Sequence, residues 1–504
     1  AASSESSAEP GTITMAMVSA WDSIIPFDTT SSYSDAVLDL IYDKLVYLKQ
    51  DGTYEPRLAD KWSMSDDNKV LTVHLNENAK WQDGEPVTAD DVVFTMQVYN
   101  SPSAAVVRQN NVSPFAGFKE GDDSLQVKAV DEHTVEMTCA EPTNMDFLFF
   151  IKFRDIYILP KHLLGDTPYA DIRNNSYWEK PIGSGPCIYE SQISGERMEF
   201  KANKDYYLKT PQWDRFVVKV VATPSLLSGL MNDEIDILAG NVASLQLSDW
   251  DMAQQQNLTC VSTESVGYQY MAINTEKDYL PPKVRQAIDM AINRDAIVSG
   301  LLKGEGEPAF GPFATSHKYY DDVVNVGYNP EKAKELLAEA GWDGSHELVF
   351  SVPTGNSIRE QAAVIIQQNL QEIGIKTKIE SADFATHLTK VREGNYDLGL
   401  IGYGGSPDQS ECVINFKPDH INNFSHLSDW TIYNTGAEGE HAFNFEDRKV
   451  NYDNYQELLV EQVPFCFLYF QNNLFAYNNR IGNVKDNQDY SQLNRDVWNW
   501  TIEK

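Results

Sequence analysis

Apolar and polar positions follow their clearest rhythm between residues 347 and 401. Glu347 to Val352 has the period of a strand. Ile358 to Ile373 carries a helical stripe and is closed by Gly374. Ile375, Thr377 and Ile379 alternate again, Asp383 to Glu393 reads as a helix closed by Gly394, and Tyr396 to Ile401 is a third, apolar strand. The order βαβαβ requires a parallel sheet with crossover helices. Ligands of such sheets bind beyond the carboxyl ends of the strands. Three loops fall there: Thr354 to Arg359, Ser381 to Phe384, and Gly402 to Gln409. The last belongs to YDLGLIGYGGSPDQ (Tyr396 to Gln409), in which Gly402, Gly404 and Gly405 surround Tyr403 and Asp408 follows. Glycines after a buried strand let backbone approach a ligand. A plain surface turn is the alternative.

The rest of the chain supplies other elements. Thr12 to Val18 alternates as a strand, and Ser19-Ala20-Trp21-Asp22 leaves its end. A helix follows, with Ser34 as its expected N-cap and Ala36, Val37, Leu40 and Ile41 on one face; Trp21, Phe27 and Tyr33 line the connecting region. From Gln50 the texture changes. Asp51-Gly52 and Asp83-Gly84 are turn signals, Leu71, Val73 and Leu75 alternate, and Thr88 opens a helix with Val92, Val93 and Met96 inward. Strands at Val127 to Val130 and Thr134 to Thr138 complete an α+β insertion over 50–180. Ile182 to Pro186 (IGSGP) is a tight passage without the G-x-S-x-G spacing of a nucleophile elbow. Strands follow at Arg197 to Ala202, Phe216 to Val221, Ile235 to Leu238 and Tyr268 to Ile273, with a helix at Ser225 to Met231. Beyond Pro281-Pro282 come two helical stripes, Val284 to Ile292 and Ala333 to Ala340, the second opened by Asn329-Pro330-Glu331 and closed by Gly341. Phe465 to Phe470 (FCFLYF) reads as a buried strand returning the chain towards its first domain.

Composition narrows the function. At 504 residues the chain needs several domains. Lys and Arg number 40 against 74 Asp and Glu, a formal charge of −34, which argues against nucleic acid and anionic membranes as partners. No apolar run approaches the roughly 20 residues of a membrane span. The first ten residues, AASSESSAEP, read as a flexible tether of an exported, processed protein. The five cysteines, Cys139, Cys187, Cys260, Cys412 and Cys466, are dispersed and in no CxxC arrangement, so buried thiols are expected, with one incidental bridge left open. No H-E-x-x-H, P-loop or G-x-G-x-x-G occurs, and the spacing of His420 and His426 does not suit one helical face; no metal, cofactor or catalytic residue is expected. Among the aromatic candidates, Trp21 and Tyr403 lie beyond expected strand ends and are favoured as ligand contacts, whereas Tyr33, Tyr268 and Trp430 fit a core as readily.

Several stretches resemble the dipeptide- and oligopeptide-binding family of ABC-transporter solute receptors. They are EPRLADKW (Glu55 to Trp62), AKWQDGEPVTADDVVF (Ala79 to Phe94, with Gln82 where histidine is common), IGSGPCIYE, VRQAIDMAINRDAIV (Val284 to Val298) and YNPEKAKELLAEAGW (Tyr328 to Trp342). The resemblance implies a two-lobed α/β fold like the type II periplasmic binding proteins, with the α+β domain inserted in the first lobe. Domain I would be 1–49, 181–274 and 479–504, domain II 50–180, and domain III 275–478. The ligand would be enclosed between domains I and III by hinge closure. Peptide receptors of this kind often place an Asp for the peptide's α-ammonium where this chain has Tyr403; Asp408 stands five residues on. Arg359 matches a position where some dipeptide receptors carry a carboxylate-binding Arg.

The expected site is therefore Ala20, Trp21 and Tyr33 on one side, and Arg359, Phe384, Gly402, Tyr403, Gly404, Gly405 and Asp408 on the other. The expected function is that of a monomeric extracytoplasmic receptor, lipid-anchored on the outer face of the cytoplasmic membrane or periplasmic. It would bind a peptide without catalysis and hand it to an ABC permease. An oligosaccharide is the second reading, because an aromatic ring at Tyr403 stacks on sugars without needing a charge. A secreted hydrolase on a related two-lobed body is the third.

Overall fold

A computed structural model describes residues 10–49, 53–405, 410–484 and 496–503. The chain divides into two compact units, one comprising residues up to Thr263 and from Asn473 onward, the other Glu264–Asn472.

In the first unit the Thr12–Met17 strand is almost wholly buried, as a strand flanked on both sides must be. It pairs in parallel with Arg215–Val220 and with Ile237–Leu238. The seven-stranded sheet runs Leu258–Thr263, Asn473–Asn478, Ile237–Leu238, Thr12–Met17, Arg215–Val220, Arg197–Ala202, Cys187–Ile193. The helix after the first strand is Ser32–Ile41, and Ser31 occupies its N-cap position, not Ser34 as the pattern suggested. Ser34 lies inside the first turn because its hydroxyl has another task. It accepts the backbone N–H groups of Asp22 and Ser23 at 3.0 and 3.2 Å and donates to the Asp22 carboxylate at 2.5 Å, fastening the loop that carries Trp21 onto the helix.

The expected insertion forms its own antiparallel sheet, ordered Ala59–Met64, Val70–Leu75, Thr134–Thr138, Val127–Ala129. The Ala89–Asn100 helix opens with a capping box in which the Asp91 carboxylate accepts the Thr88 N–H at 2.8 Å. Asp51 and Gly52, the expected hairpin turn, lie outside the described residues. Apolar side chains of both sheets merge into one core. The IGSGP passage joins them. A β-carbon on Gly183 would stand 1.8 Å from the Ile41 carbonyl oxygen, so only glycine fits. Gln82 clamps the same point: its side-chain oxygen accepts the Gly183 N–H at 2.9 Å and its amide donates to the Cys187 carbonyl at 2.8 Å.

The second unit holds the predicted βαβαβ unit. Glu347–Pro353 pairs in parallel with Lys376–Ala382 on one side and Leu398–Tyr403 on the other. Helices Ser357–Glu372 and Phe384–Arg392 connect them, and Gly374 and Gly394 after these helices have φ of +88° and +74°. The sheet continues antiparallel through Tyr268–Ile273, Phe465–Gln471 and Gly306–Pro308. Two apolar cores cover its faces, one containing Leu398, Leu400 and Leu468, the other Tyr268, Ile401 and Phe470.

Two boundaries differ from the sequence expectation. Tyr268–Ile273, assigned there to domain I, is a central strand of the second unit, and Asn473–Asn478, assigned to domain III, pairs within the first. The FCFLYF strand itself stays in the second unit, and the chain passes to the first immediately after it. Both strands are apolar on both faces, so their pattern states that they are buried and not between which neighbours. All five cysteines are free thiols, and no helix among the described residues is long and apolar enough to cross a membrane.

Candidate functional site

The parallel strands of the second unit end together, Pro353 opposite Ala382. The loops beyond that edge are the ones in which ligand contacts were expected. Arg359 lies in the first turn of the Ser357–Glu372 helix, which is capped by Asn356 accepting the Arg359 N–H at 3.0 Å. Its guanidinium is half-buried. Its Nε donates to the side-chain oxygen of Gln269 at 3.0 Å, and no carboxylate pairs with it among the described residues. Burial holds this guanidinium below the usual arginine range, against smaller opposing contributions from Tyr469 and Tyr270. A cation so placed, at the positive end of a 16-residue helix, has the charge and the donors to pair with an anion.

Tyr403 is the last residue of its strand rather than a loop residue, and its ring packs 5.2 Å from Tyr268. Side chains alternate along a strand. Leu398 and Leu400 belong to the core on the Arg359 side, Ile401 and Tyr403 to the opposite one. Arg359 and Tyr403 therefore reach the edge from opposite faces of one sheet. Two glycines, on either side of Tyr403, leave room for close neighbours. A β-carbon on Gly402 would sit 2.5 Å from the Gln269 amide nitrogen, and one on Gly405, whose φ is +73°, would sit 2.3 Å from the Val266 carbonyl oxygen. Gly404 is exposed, with open space around it. Asp408 lies outside the described residues. Phe384 opens its helix and is 50 % exposed at the same strand edge. Trp430, which fitted a core on sequence grounds, is 41 % exposed, resting against Tyr433 and under the Lys417 ammonium.

Sequence reasoning missed Gln269 and Tyr469. In the strand pair joining Tyr268–Ile273 to Phe465–Gln471 the register shifts, with Gln269 opposite Tyr469 but Tyr270 opposite Phe467. Leu468 is the extra residue of a β-bulge. The bulge turns Tyr469 onto the face that carries Arg359, in the same core as Leu468, and returns Phe470 to the other. The only signal in the sequence was one polar residue, Gln269, within an otherwise apolar strand.

In the first unit, Ala20 and Trp21 lie in the loop beyond the Thr12–Met17 strand, and Tyr33 in the first turn of the following helix; all three are half-buried. The Trp21 indole N–H donates to the Gln192 side chain at 2.7 Å. The Asp22 carboxylate beside it accepts the hydroxyls of Ser34 and Thr29 and is held below the usual carboxylate range, the two hydroxyls outweighing the effect of burial.

Beneath the strand edge of the second unit, His387 is fully buried, with Nδ1 2.8 Å from the Ser351 hydroxyl. Burial pushes its pKa down to about 4, from about 6.5 for an exposed imidazole, and the Arg359 and Lys390 charges push the same way. The folded chain thus refuses a proton that the unfolded chain accepts. Stability is expected to fall as pH drops from about 6.5 towards 4, and the loss to level off below 4, with His387 contributing on the order of 3 kcal/mol. Urea unfolding of the wild type and of His387→Gln across that window checks this; parallel curves would refute it.

The family described as "bacterial extracellular solute-binding proteins, family 5 Middle" matches residues 53–419. The oligopeptide-binding protein AppA of Bacillus subtilis is 27 % identical over 515 residues, covering 94 % of this chain and 89 % of the relative. The dipeptide-binding protein of Escherichia coli is 29 % identical over 406 residues, covering 75 % and 74 %. Among solved structures, the ABC-transporter substrate-binding protein CtaP of Listeria monocytogenes superposes with a TM-score of 0.85 at 24 % identity, covering 98 % of this chain and 99 % of that one. The fold is the type II periplasmic-binding-protein-like α/β fold with an α+β insertion. The chain belongs to the family 5 bacterial extracellular solute-binding proteins. It is a binding protein and not an enzyme, and the hydrolase reading falls with that.

Proposed function

We propose that the solute is a peptide, delivered to an ABC import permease, and that Arg359 receives its C-terminal carboxylate. The observation that carries this reading is the Arg359 guanidinium itself. It stands at the carboxyl edge of a parallel sheet and at a helix N-terminus, and among the described residues its side chain is engaged by a neutral amide. A neutral sugar offers it hydroxyl acceptors but no charge, whereas a carboxylate fits its fork in a bidentate pair. The peptide-binding relatives support the same reading. Phe384 and Tyr403, from the same unit as Arg359, would stand beside the bound peptide. Exposed strand edges would pair with the peptide backbone, and water would fill the side-chain pockets. Tyr403 at the amine position favours a ligand whose ammonium is met elsewhere, by Asp408 or by solvent. The protein would be monomeric and act outside the cytoplasmic membrane. Calorimetry with a pool of di- to pentapeptides is expected to show binding. No heat at millimolar peptide, with stabilisation by a glycan panel instead, would overturn the proposal.

A further inference from the structure

We infer that Gln269 is a positioning residue that sets the specificity of this site for a carboxylate, by holding the Arg359 fork end-on across the space that Gly402 leaves on the neighbouring strand. The inference rests on the carboxylate reading of Arg359. Gln269 and Gly402 are direct cross-strand partners in the antiparallel pair of Tyr268–Ile273 with Leu398–Tyr403. Directly opposed residues in such a pair project on the same face. With no side chain at 402, the Gln269 side chain lies across the neighbouring strand and reaches the helix that carries Arg359. A β-carbon on residue 402 would meet all three terminal atoms of Gln269, at 2.5, 3.0 and 3.1 Å.

What Gln269 accepts matters as much as that it accepts. It takes the Nε–H, at 3.0 Å. A guanidinium bound through Nε keeps its Nη1 and Nη2 hydrogens, and the edge between them matches the two oxygens of a carboxylate. Neutrality matters as well. A glutamate at this position would hold Arg359 equally well but would supply the anion itself, leaving the ligand to compete with an internal carboxylate. An amide orients the cation without neutralising it. The bulge at Leu468 closes the other flank, since it is what turns the Tyr469 side chain onto the Arg359 face. Arginine loses much of its binding advantage when its fork is free to rotate, because the ligand must then fix the side chain's rotamers.

The test uses the full chain and a pool of di- to pentapeptides prepared once as free acids and once as C-terminal amides. The readout is the ratio of the two affinities by calorimetry. The wild type is expected to favour the acids by about 30-fold or more. Gln269→Leu is expected to lower that ratio about tenfold, and Gln269→Glu, the same size, to abolish it while raising the thermal midpoint of the unliganded protein. Gly402→Ala is expected to act like Gln269→Leu in the wild type and to add nothing in a Gln269→Ala background, where the clash has been removed; independent roles would instead add. A wild type with no preference for acids overturns both the carboxylate reading and this inference. A wild type that prefers acids, with a folded Gln269→Glu that prefers them equally, overturns this inference alone.

Discussion

Replacing Arg359 with alanine is expected to weaken the binding of free-acid peptides about 100-fold and to leave the unliganded protein as stable as before, or more so. The two halves have one cause. Arg359 is half-buried without a carboxylate partner among the described residues, and the loss of hydration already depresses its pKa. Removing it relieves the free protein of a desolvated charge. In the complex, removing it strands the ligand's carboxylate, and truncating one member of a desolvated ion pair costs about 2–5 kcal/mol. Every 1.4 kcal/mol is about tenfold in affinity, so the lower half of that range gives the stated loss. Arg359→Lys is expected to fall between the two, because a point charge replaces a planar fork. Calorimetry with the acid and amide pools, beside thermal unfolding of the apo proteins, reads both halves. A variant that loses stability along with affinity would make Arg359 a structural residue. A variant that binds acids like the wild type would move the anion site elsewhere.

The parts of this site that were legible in the sequence are those written locally. The βαβαβ unit announces itself through period and through the glycines that close its helices. Its topology then fixes which loops share an edge, and Arg359 and Phe384 follow. What could not be read are the facts that depend on distant pairing. Gln269 faces Gly402 across a strand pair 133 positions apart in the chain, and it faces Tyr469 across another. In sequence it is one polar residue in an apolar strand. The bulge at Leu468 is invisible for the same reason: FCFLYF has no turn signal and no glycine, and only the register against Tyr268–Ile273 shows the extra residue. The glycines of Gly402 to Gly405 are conspicuous in the sequence, but their neighbours are not. At 402 the structure places the Gln269 side chain against the glycine, and at 405 the Val266–Gly267 backbone.

That bulge has its own support, and the largest expected effect on stability lies there. Arg294 is 1 % exposed. Its Nε donates to the carbonyls of Phe467 and Ala309 at 2.7 and 2.9 Å, its Nη1 to the Asp289 carbonyl at 3.0 Å, and its Nη2 to the Asp289 carboxylate. The Phe310 ring lies 4.7 Å from the guanidinium carbon. One side chain thus joins the end of the Pro282–Ala291 helix, the start of the Arg294–Leu301 helix and the strand residue just before Leu468. Arg294→Met fills similar space and removes every donor. The Asp289 carboxylate stays buried without its cation, and breaking a buried pair in this way costs about 3–5 kcal/mol. Adding Asp289→Leu removes the stranded charge and is expected to restore at least half of the loss, although the carbonyls of Phe467 and Ala309 remain unserved. Urea unfolding of the three variants measures this, read as a separate transition if the second unit unfolds on its own. A loss below about 1 kcal/mol for Arg294→Met would mean that water replaces the guanidinium. Because Phe467 immediately precedes the bulge, the same variant is expected to disturb Tyr469 and to lower the acid-to-amide ratio at Arg359. A drop in stability with that ratio unchanged would show that the bulge holds its shape without Arg294.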